Sequence, residues 1–180
     1  AREKGVSAVE LNVSCPNVSH GLDFGTAPSL VEQLVRRVKQ ECPVPVIAKL
    51  SPNVTDVAEI ARGVEQGGGD AVSLINTIRG MAIDPRKRKP VLGNVTGGLS
   101  GPAVKPVALA MVWKTSRSVR IPVIGIGGIM TGTDVVEFLL AGASAVQIGT
   151  GNFVDPWVAP RVISELRDFC IQEGIASVRS

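Results

Sequence analysis

Five short runs of apolar residues, each followed by a longer stretch with helical spacing, organise this chain. The runs fall at 8–13, 44–50, 71–76, 122–127 and 145–149. The first, Ala8-Val9-Glu10-Leu11-Asn12-Val13, alternates, while most of the others are nearly continuous. Nearly continuous runs of this length predict parallel strands covered on both faces. The stretches at 28–41, 55–66, 104–118, 131–141 and 156–173 predict amphipathic helices. In the first of these, Leu30, Val31, Leu34, Val35 and Val38 share a face. Thr55 and Thr131 stand near helix starts, and Gly67, Gly142 and Gly174 mark helix ends. No linker or low-complexity segment breaks the alternation. Repeated strand–helix units predict an α/β fold with a parallel sheet, either doubly wound or a barrel.

Polar residues and glycines recur where these strands end, and they favour the barrel. They are Asn12 to Asn17, Lys49, Asn76-Thr77, Gly127-Gly128 and Gly149-Thr150. A barrel brings the C-terminal ends of all its strands to one face, whereas an open sheet concentrates its ligand at a single switch point. Glycines after one strand are compatible with an ordinary turn. On two successive late units they also expose backbone N–H groups suited to a phosphate. Five strands do not close an eight-stranded ring, and such barrels typically need about 250 residues. The expected architecture is therefore the C-terminal part of a (β/α)8 TIM barrel, incomplete in this chain. Residues 1–180 are expected to form one partial domain whose N-terminal half is absent.

Composition narrows the class. The 180 residues are 44% hydrophobic, enough to bury a sizeable core. Apolar runs are short and interrupted by Gly, Pro or Asn, so no membrane span is expected. The opening Ala1-Arg2-Glu3-Lys4 is charged and precedes no apolar segment, which argues against a signal peptide. Three cysteines without C-x-x-C spacing point to reduced thiols in the cytoplasm, and away from zinc or an iron–sulfur cluster held by this chain alone. The net charge of +3 has its main local source in Arg86-Lys87-Arg88-Lys89, read as a solvated loop, with docking or anion steering as the alternative. Aromatic residues make up 3% with no Tyr, so there is no stacking platform for nucleic acid.

The strongest chemical signal is the corner Asn12-Val13-Ser14-Cys15-Pro16-Asn17. Proline fixes its own φ and drives the preceding residue out of the helical region, so Cys15 sits on a stiff strand-to-loop corner. A thiol there can act as base or nucleophile, and flanking carboxamides can orient an amide-rich substrate. A small buried hydrophobe in a turn fits the same residue. Lys49 ends an apolar strand, where a cation calls for a counter-group unless it snorkels to the surface. His20, the sole histidine, reads as a solvated loop residue, and Cys42 and Cys170 read as structural.

Six motifs in order carry a resemblance to a known family. They are Leu11-Asn12-Val13-Ser14-Cys15-Pro16-Asn17-Val18, Ala48-Lys49-Leu50-Ser51-Pro52-Asn53, Ile75-Asn76-Thr77, Thr96-Gly97-Gly98-Leu99-Ser100-Gly101-Pro102, Gly125-Ile126-Gly127-Gly128 and Gln147-Ile148-Gly149-Thr150. Together they resemble dihydroorotate dehydrogenase. The segments 75–81 and 98–106 look like its cytosolic, NAD-linked class 1B branch. Cysteine rather than serine at position 15 speaks against the membrane-associated, quinone-using branch. The resemblance implies oxidation of dihydroorotate to orotate, in pyrimidine biosynthesis, with a hydride passed to FMN and Cys15 as the base. It implies substrate contacts from Asn12, Asn17, Asn76 and Thr77. It implies FMN contacts from Asn12, Lys49, Ile75 and Gly101, with Gly127, Gly128, Gly149 and Thr150 at the phosphate end. It also implies a homodimeric core within a heterotetramer. A separate subunit with FAD and a [2Fe–2S] cluster would carry electrons to NAD⁺.

Two other readings remain open on the residues alone. A dihydropyrimidine dehydrogenase-like FMN barrel shares a similar Asn…Ser-Cys-Pro corner, and a half-barrel that binds no flavin would be non-catalytic.

Overall fold

The computed structural model describes residues 5–14 and 25–178, so Cys15, Asn17 and His20 lie outside the described residues. Its main sheet contains β1 (Val9–Asn12), β2 (Val46–Lys49), β3 (Ala71–Leu74), β8 (Val123–Ile126) and β9 (Ala145–Gln147), all parallel and in that spatial order. Between β3 and β8 lie four short strands: β4 (Ile78–Gly80), β5 (Ile83–Asp84), β6 (Lys89–Pro90) and β7 (Gly97–Leu99). The helices are α1 (Pro28–Glu41), α2 (Val57–Gln66), α3 (Lys105–Ser116), α4 (Gly132–Leu140), α5 (Gly151–Val154) and α6 (Val158–Gln172). Spatial order equals chain order along the sheet. A doubly wound sheet would reverse direction at a switch point. Strands added always on one side, through right-handed crossovers, instead leave their helices on one face. Accordingly α1 packs on α2, α2 on α3, α3 on α4, and α4 on α6.

The pleat sorts the side chains. In register across the strands, Ala48, Val72, Leu74 and Val123 are buried, and they join Val31, Val35, Ala61, Val64, Val112 and Phe138 in one core. Gly125 belongs to this face because a Cβ there would overlap the Phe138 ring. The opposite face carries Glu10, Asn12, Lys49, Ser73 and Gln147. Glu10 Oε2 accepts hydrogen bonds from Ser73 Oγ and from Gln147 Nε2, each at 2.9 Å. In a flat sheet β1 and β9 would stand roughly 19 Å apart, beyond the reach of two side chains. The sheet is therefore curled with this polar face inside, as the wall of a barrel.

Elements follow the hydrophobic pattern closely, with α1 covering the predicted 28–41. The strands stop short of the predicted ends, at Leu74, Ile126 and Gln147, because the backbone then turns off into the site loops. Thr131 caps α4 as expected, accepting from Asp134 N at 3.2 Å, while Asp134 reciprocates to Thr131 N. At α2 the cap is Asp56 rather than Thr55, its carboxylate accepting from Ala58 N at 2.9 Å.

The arm between β3 and α3 has no counterpart in the sequence reading. There β4 pairs antiparallel with β7, and β5 with β6. Arg86-Lys87-Arg88 occupy the β5–β6 turn and are exposed, as expected, with Asp84 Oδ1 accepting from the N–H groups of Arg86 and Lys87 at 2.9 and 3.0 Å. Among the described residues, no helix is long and apolar enough to cross a membrane, and no cluster of His, Cys, Asp or Glu could hold a metal ion.

Candidate active site

Two adjoining clefts open at the C-terminal ends of the strands, and they divide the candidate residues by chemistry. One is lined by glycines and apolar groups: Lys49, Ile75, Gly101, Val104, Ile126, Gly127, Gly128, Gly149 and Thr150 among others. The second is lined by Asn12, Ser14, Asn53, Asn76, Thr77, Arg79, Asn94, Thr96, Gly97 and Gly98. Asn76 and Thr77, directly after β3, border both.

The amide cluster is held by its own hydrogen bonds. Ser14 Oγ donates to Asn12 Oδ1 at 2.9 Å, and Asn76 Nδ2 donates to Ser14 Oγ at 2.6 Å and to the Ser14 carbonyl at 3.3 Å. Asn76 Oδ1 in turn accepts from Thr77 N at 2.9 Å. With both ends of its carboxamide engaged, Asn76 is fixed in orientation. Asn53 braces the cleft from the β2 side. It donates to the Thr77 carbonyl at 3.1 Å and accepts from Arg79 N at 3.0 Å. Gly98 lets β7 pass close, because a Cβ there would overlap the Thr77 side chain. Uncharged donors and acceptors arranged this way complement a ring with alternating C=O and N–H groups.

The glycine-lined cleft suits an anionic group. Gly128, at φ +75°, packs so closely that a Cβ would lie 2.8 Å from Gly101 O and 3.0 Å from Lys105 N. Gly127, at φ +135°, would place a Cβ 2.9 Å from that of Ala108. Gly149 differs, since a Cβ there would meet no protein atom within 4 Å. Bare backbone therefore lines the cleft from two consecutive βα units, as a phosphate requires. Thr150 Oγ1 bonds Ser100 Oγ at 2.8 Å across the cleft, joining the β9 end to the arm. Lys49 is half-buried on the barrel-interior face, level with Asn12 and Ser73 on the neighbouring strands. Bare backbone at the glycines would suit a phosphate and the Lys49 cation an electron-rich ring, so the residues present fit a flavin mononucleotide.

The structure thus brings together Asn12, Lys49, Ile75, Asn76, Thr77, Gly101, Gly127, Gly128, Gly149 and Thr150. Cys15 and Asn17 lie outside the described residues. Sequence reasoning assigned no role to Ser14, Asn53, Arg79, Asn94, Thr96 or Gln147. Ser14, Asn53, Arg79, Thr96 and Gln147 stand inside segments already singled out, so their position was a usable signal. Asn94 sits in the arm, where no periodicity marks it.

Comparisons with known proteins agree with this arrangement. The sequence profile of the dihydroorotate dehydrogenase family matches residues 3–170. A dihydroorotate dehydrogenase B (NAD(+)) catalytic subunit from Geobacter sulfurreducens is 58% identical over 175 residues, covering 97% of this chain and 57% of that protein. The corresponding protein of Parabacteroides distasonis is 57% identical over 175 residues, with 97% and 57% covered. The chain thus spans little more than half the length of these relatives. A crystal structure of Eimeria tenella DHODH in complex with ferulenol superimposes with a TM-score of 0.79 at 26% identity, over 96% of this chain and 52% of that one. A profile match over nearly the whole sequence, on a curled parallel sheet of five strands, leads to one conclusion: this chain belongs to the dihydroorotate dehydrogenase family.

Proposed function

We propose that this chain acts in the flavin-dependent oxidation of dihydroorotate to orotate, a CH–CH oxidation in pyrimidine biosynthesis. The observation that carries this reading is the pair of adjoining clefts, one glycine-lined and one amide-lined, with Asn76 and Thr77 on their common border. FMN bound in the first would accept the hydride that leaves C6 of the pyrimidine. Cys15 would take the proton from C5; only its thiolate is basic enough, so the assembled site must favour that form. Asn12, Asn17, Asn76 and Thr77 would hold the ring by its carbonyl and N–H edge. Asn76 enters that role already oriented by Ser14 and Thr77.

Lys49 would place a positive charge beside the flavin ring, where it offsets negative charge. Asn12 would reach the ring as well, and Ile75 and Gly101 would contact it through their backbone. Gly127, Gly128, Gly149 and Thr150 would receive the phosphate. We read the residues as one flavin-binding barrel domain. The names of the similar proteins, NAD(+)-type catalytic subunits, support a further step in which electrons leave the flavin toward NAD⁺. A subunit with FAD and a [2Fe–2S] cluster would carry them, attached to a homodimeric core.

The test is anaerobic mixing of the flavin-loaded intact protein with dihydroorotate. Rapid loss of the oxidised-flavin absorbance is expected, and dihydrouracil at the same concentration should leave it in place. Bleaching by dihydrouracil alone would move the protein to the dihydropyrimidine dehydrogenase-like reading. Bleaching by neither would remove the oxidoreductase assignment.

A further inference from the structure

The turn that carries Gly127 and Gly128 is gripped from behind by charges that contribute nothing to the cleft lining. Asp134 Oδ2 accepts from Met130 N and from Thr131 N, both at 2.8 Å, while its Oδ1 pairs with Lys105 Nζ at 2.6 Å. Lys105 makes a second pair with Glu137 at 2.9 Å. Its own backbone N and Cβ press against Gly128, leaving no room for a side chain there. From the other side, Glu165 accepts from Gly132 N at 2.6 Å, and Arg161 donates to Met130 O at 3.2 Å. Met130, Thr131 and Gly132 are thus committed to protein partners, and none of these bonds uses the N–H of Gly128 or Ile129. Both of those residues line the cleft.

We propose that Asp134 and Lys105 form a positioning pair for the flavin phosphate, Asp134 holding the 127–131 turn in shape and Lys105 cancelling the charge that this carboxylate would present to the phosphate. The proposal rests on the flavin reading above and assigns two residues that touch neither ring nor substrate. Its logic is electrostatic. A carboxylate buttressing a phosphate turn repels the ligand unless a cation neutralises it, and a half-buried pair is poorly screened by salt. Pre-shaping a turn also lowers the cost of ordering it on binding.

The consequence is selective for the phosphate, which separates positioning from plain structural support. The experiment titrates apo intact protein with FMN and with riboflavin, which carries the same ring without a phosphate. Wild type is expected to prefer FMN strongly. In Asp134→Ala, Glu137 still holds Lys105, and FMN affinity should fall about tenfold or more, the value of one or two lost charge-assisted hydrogen bonds. Riboflavin affinity should stay unchanged. If Asp134→Ala does not fold, Lys105→Gln decides the question. That variant keeps the α4 cap but exposes the phosphate to an uncompensated carboxylate, so it should show the same FMN-selective loss. Equal losses for both flavins, or no loss for either, would overturn the positioning role. A wild type that binds neither flavin would instead overturn the flavin reading on which the role rests.

Discussion

Gly128 and Gly149 both line the glycine-rich cleft, yet different partners constrain them. Gly128 has φ +75° and atoms of Gly101 and Lys105 within 3.0 Å of a would-be Cβ, so the fold itself demands glycine. Gly149 has open space at the same point, so only a ligand would object. Gly128→Ala is therefore expected to cost about 1–3 kcal/mol of stability through backbone strain alone, before any clash. Gly149→Ala should leave stability within about 0.5 kcal/mol while lowering flavin content. Thermal unfolding of the apo forms, with flavin absorbance of the loaded ones, reads both effects. In the proposed reaction the base is Cys15. Cys15→Ala should keep full FMN content and slow reduction of the flavin by dihydroorotate about 10²- to 10⁴-fold, the usual share of a general base. Stopped-flow bleaching near the wild-type rate would assign the proton to another group.

At the scale of an element, α4 shows how one helix start serves the site. Its capping box joins Thr131 and Asp134, and the same Asp134 anchors the turn after β8. Burial by itself pushes the Asp134 pKa up, but Lys105 and the N–H groups of Met130 and Thr131 together outweigh it and hold the carboxyl below the usual value. Lys105 is held above its usual value, chiefly by hydrogen bonds to Asp134 and Glu137. A lowered carboxylate stabilises the folded state fully above the unfolded pKa of about 3.9 and loses that contribution as pH falls through the folded value. A raised lysine does the opposite, stabilising below about pH 10 and losing its contribution as pH rises further. The stability gap between wild type and Asp134→Asn should accordingly be constant near neutrality and close below about pH 4. Denaturant titrations at a series of pH values measure it. A gap that widened in acid would contradict the assigned sign.

For the whole molecule, the outer edges of β1 and β9 pair with no strand among the described residues. Exposed edges of this kind recruit other chains. Exposed Phe153, Val154 and Trp157, just beyond β9 in the chain, add apolar surface. A preparation of these 180 residues by themselves should run on size exclusion as associated species and retain little FMN. A monodisperse, yellow monomer would show that the curled sheet is sufficient alone. The curl is secured from within by Glu10, which accepts from Ser73 and Gln147 across the barrel interior.

The sequence by itself determined the strands, their helices and the ends where chemistry collects, because each rests on local signals. Apolar spacing places α1 and the five sheet strands, and Gly next to a strand end marks a turn such as Gly127-Gly128 after β8. Motifs of a few residues sufficed to name Asn12, Lys49, Asn76 and the glycines. Only the tertiary structure decided what meets across long stretches of chain. Glu10 and Gln147 are 137 residues apart, and Lys105 and Asp134 are 29 apart. No period relates such pairs, and only curling and packing bring them into contact. The arm from β4 to β7 escaped for a related reason. Strands of two or three residues are too short to show an alternation, and Pro90 inside β6 reads as a breaker until pairing is seen. The division of the site into two clefts likewise exists only once β3 and the arm are folded together, because a boundary at Asn76 and Thr77 is a property of surfaces in contact and not of a segment.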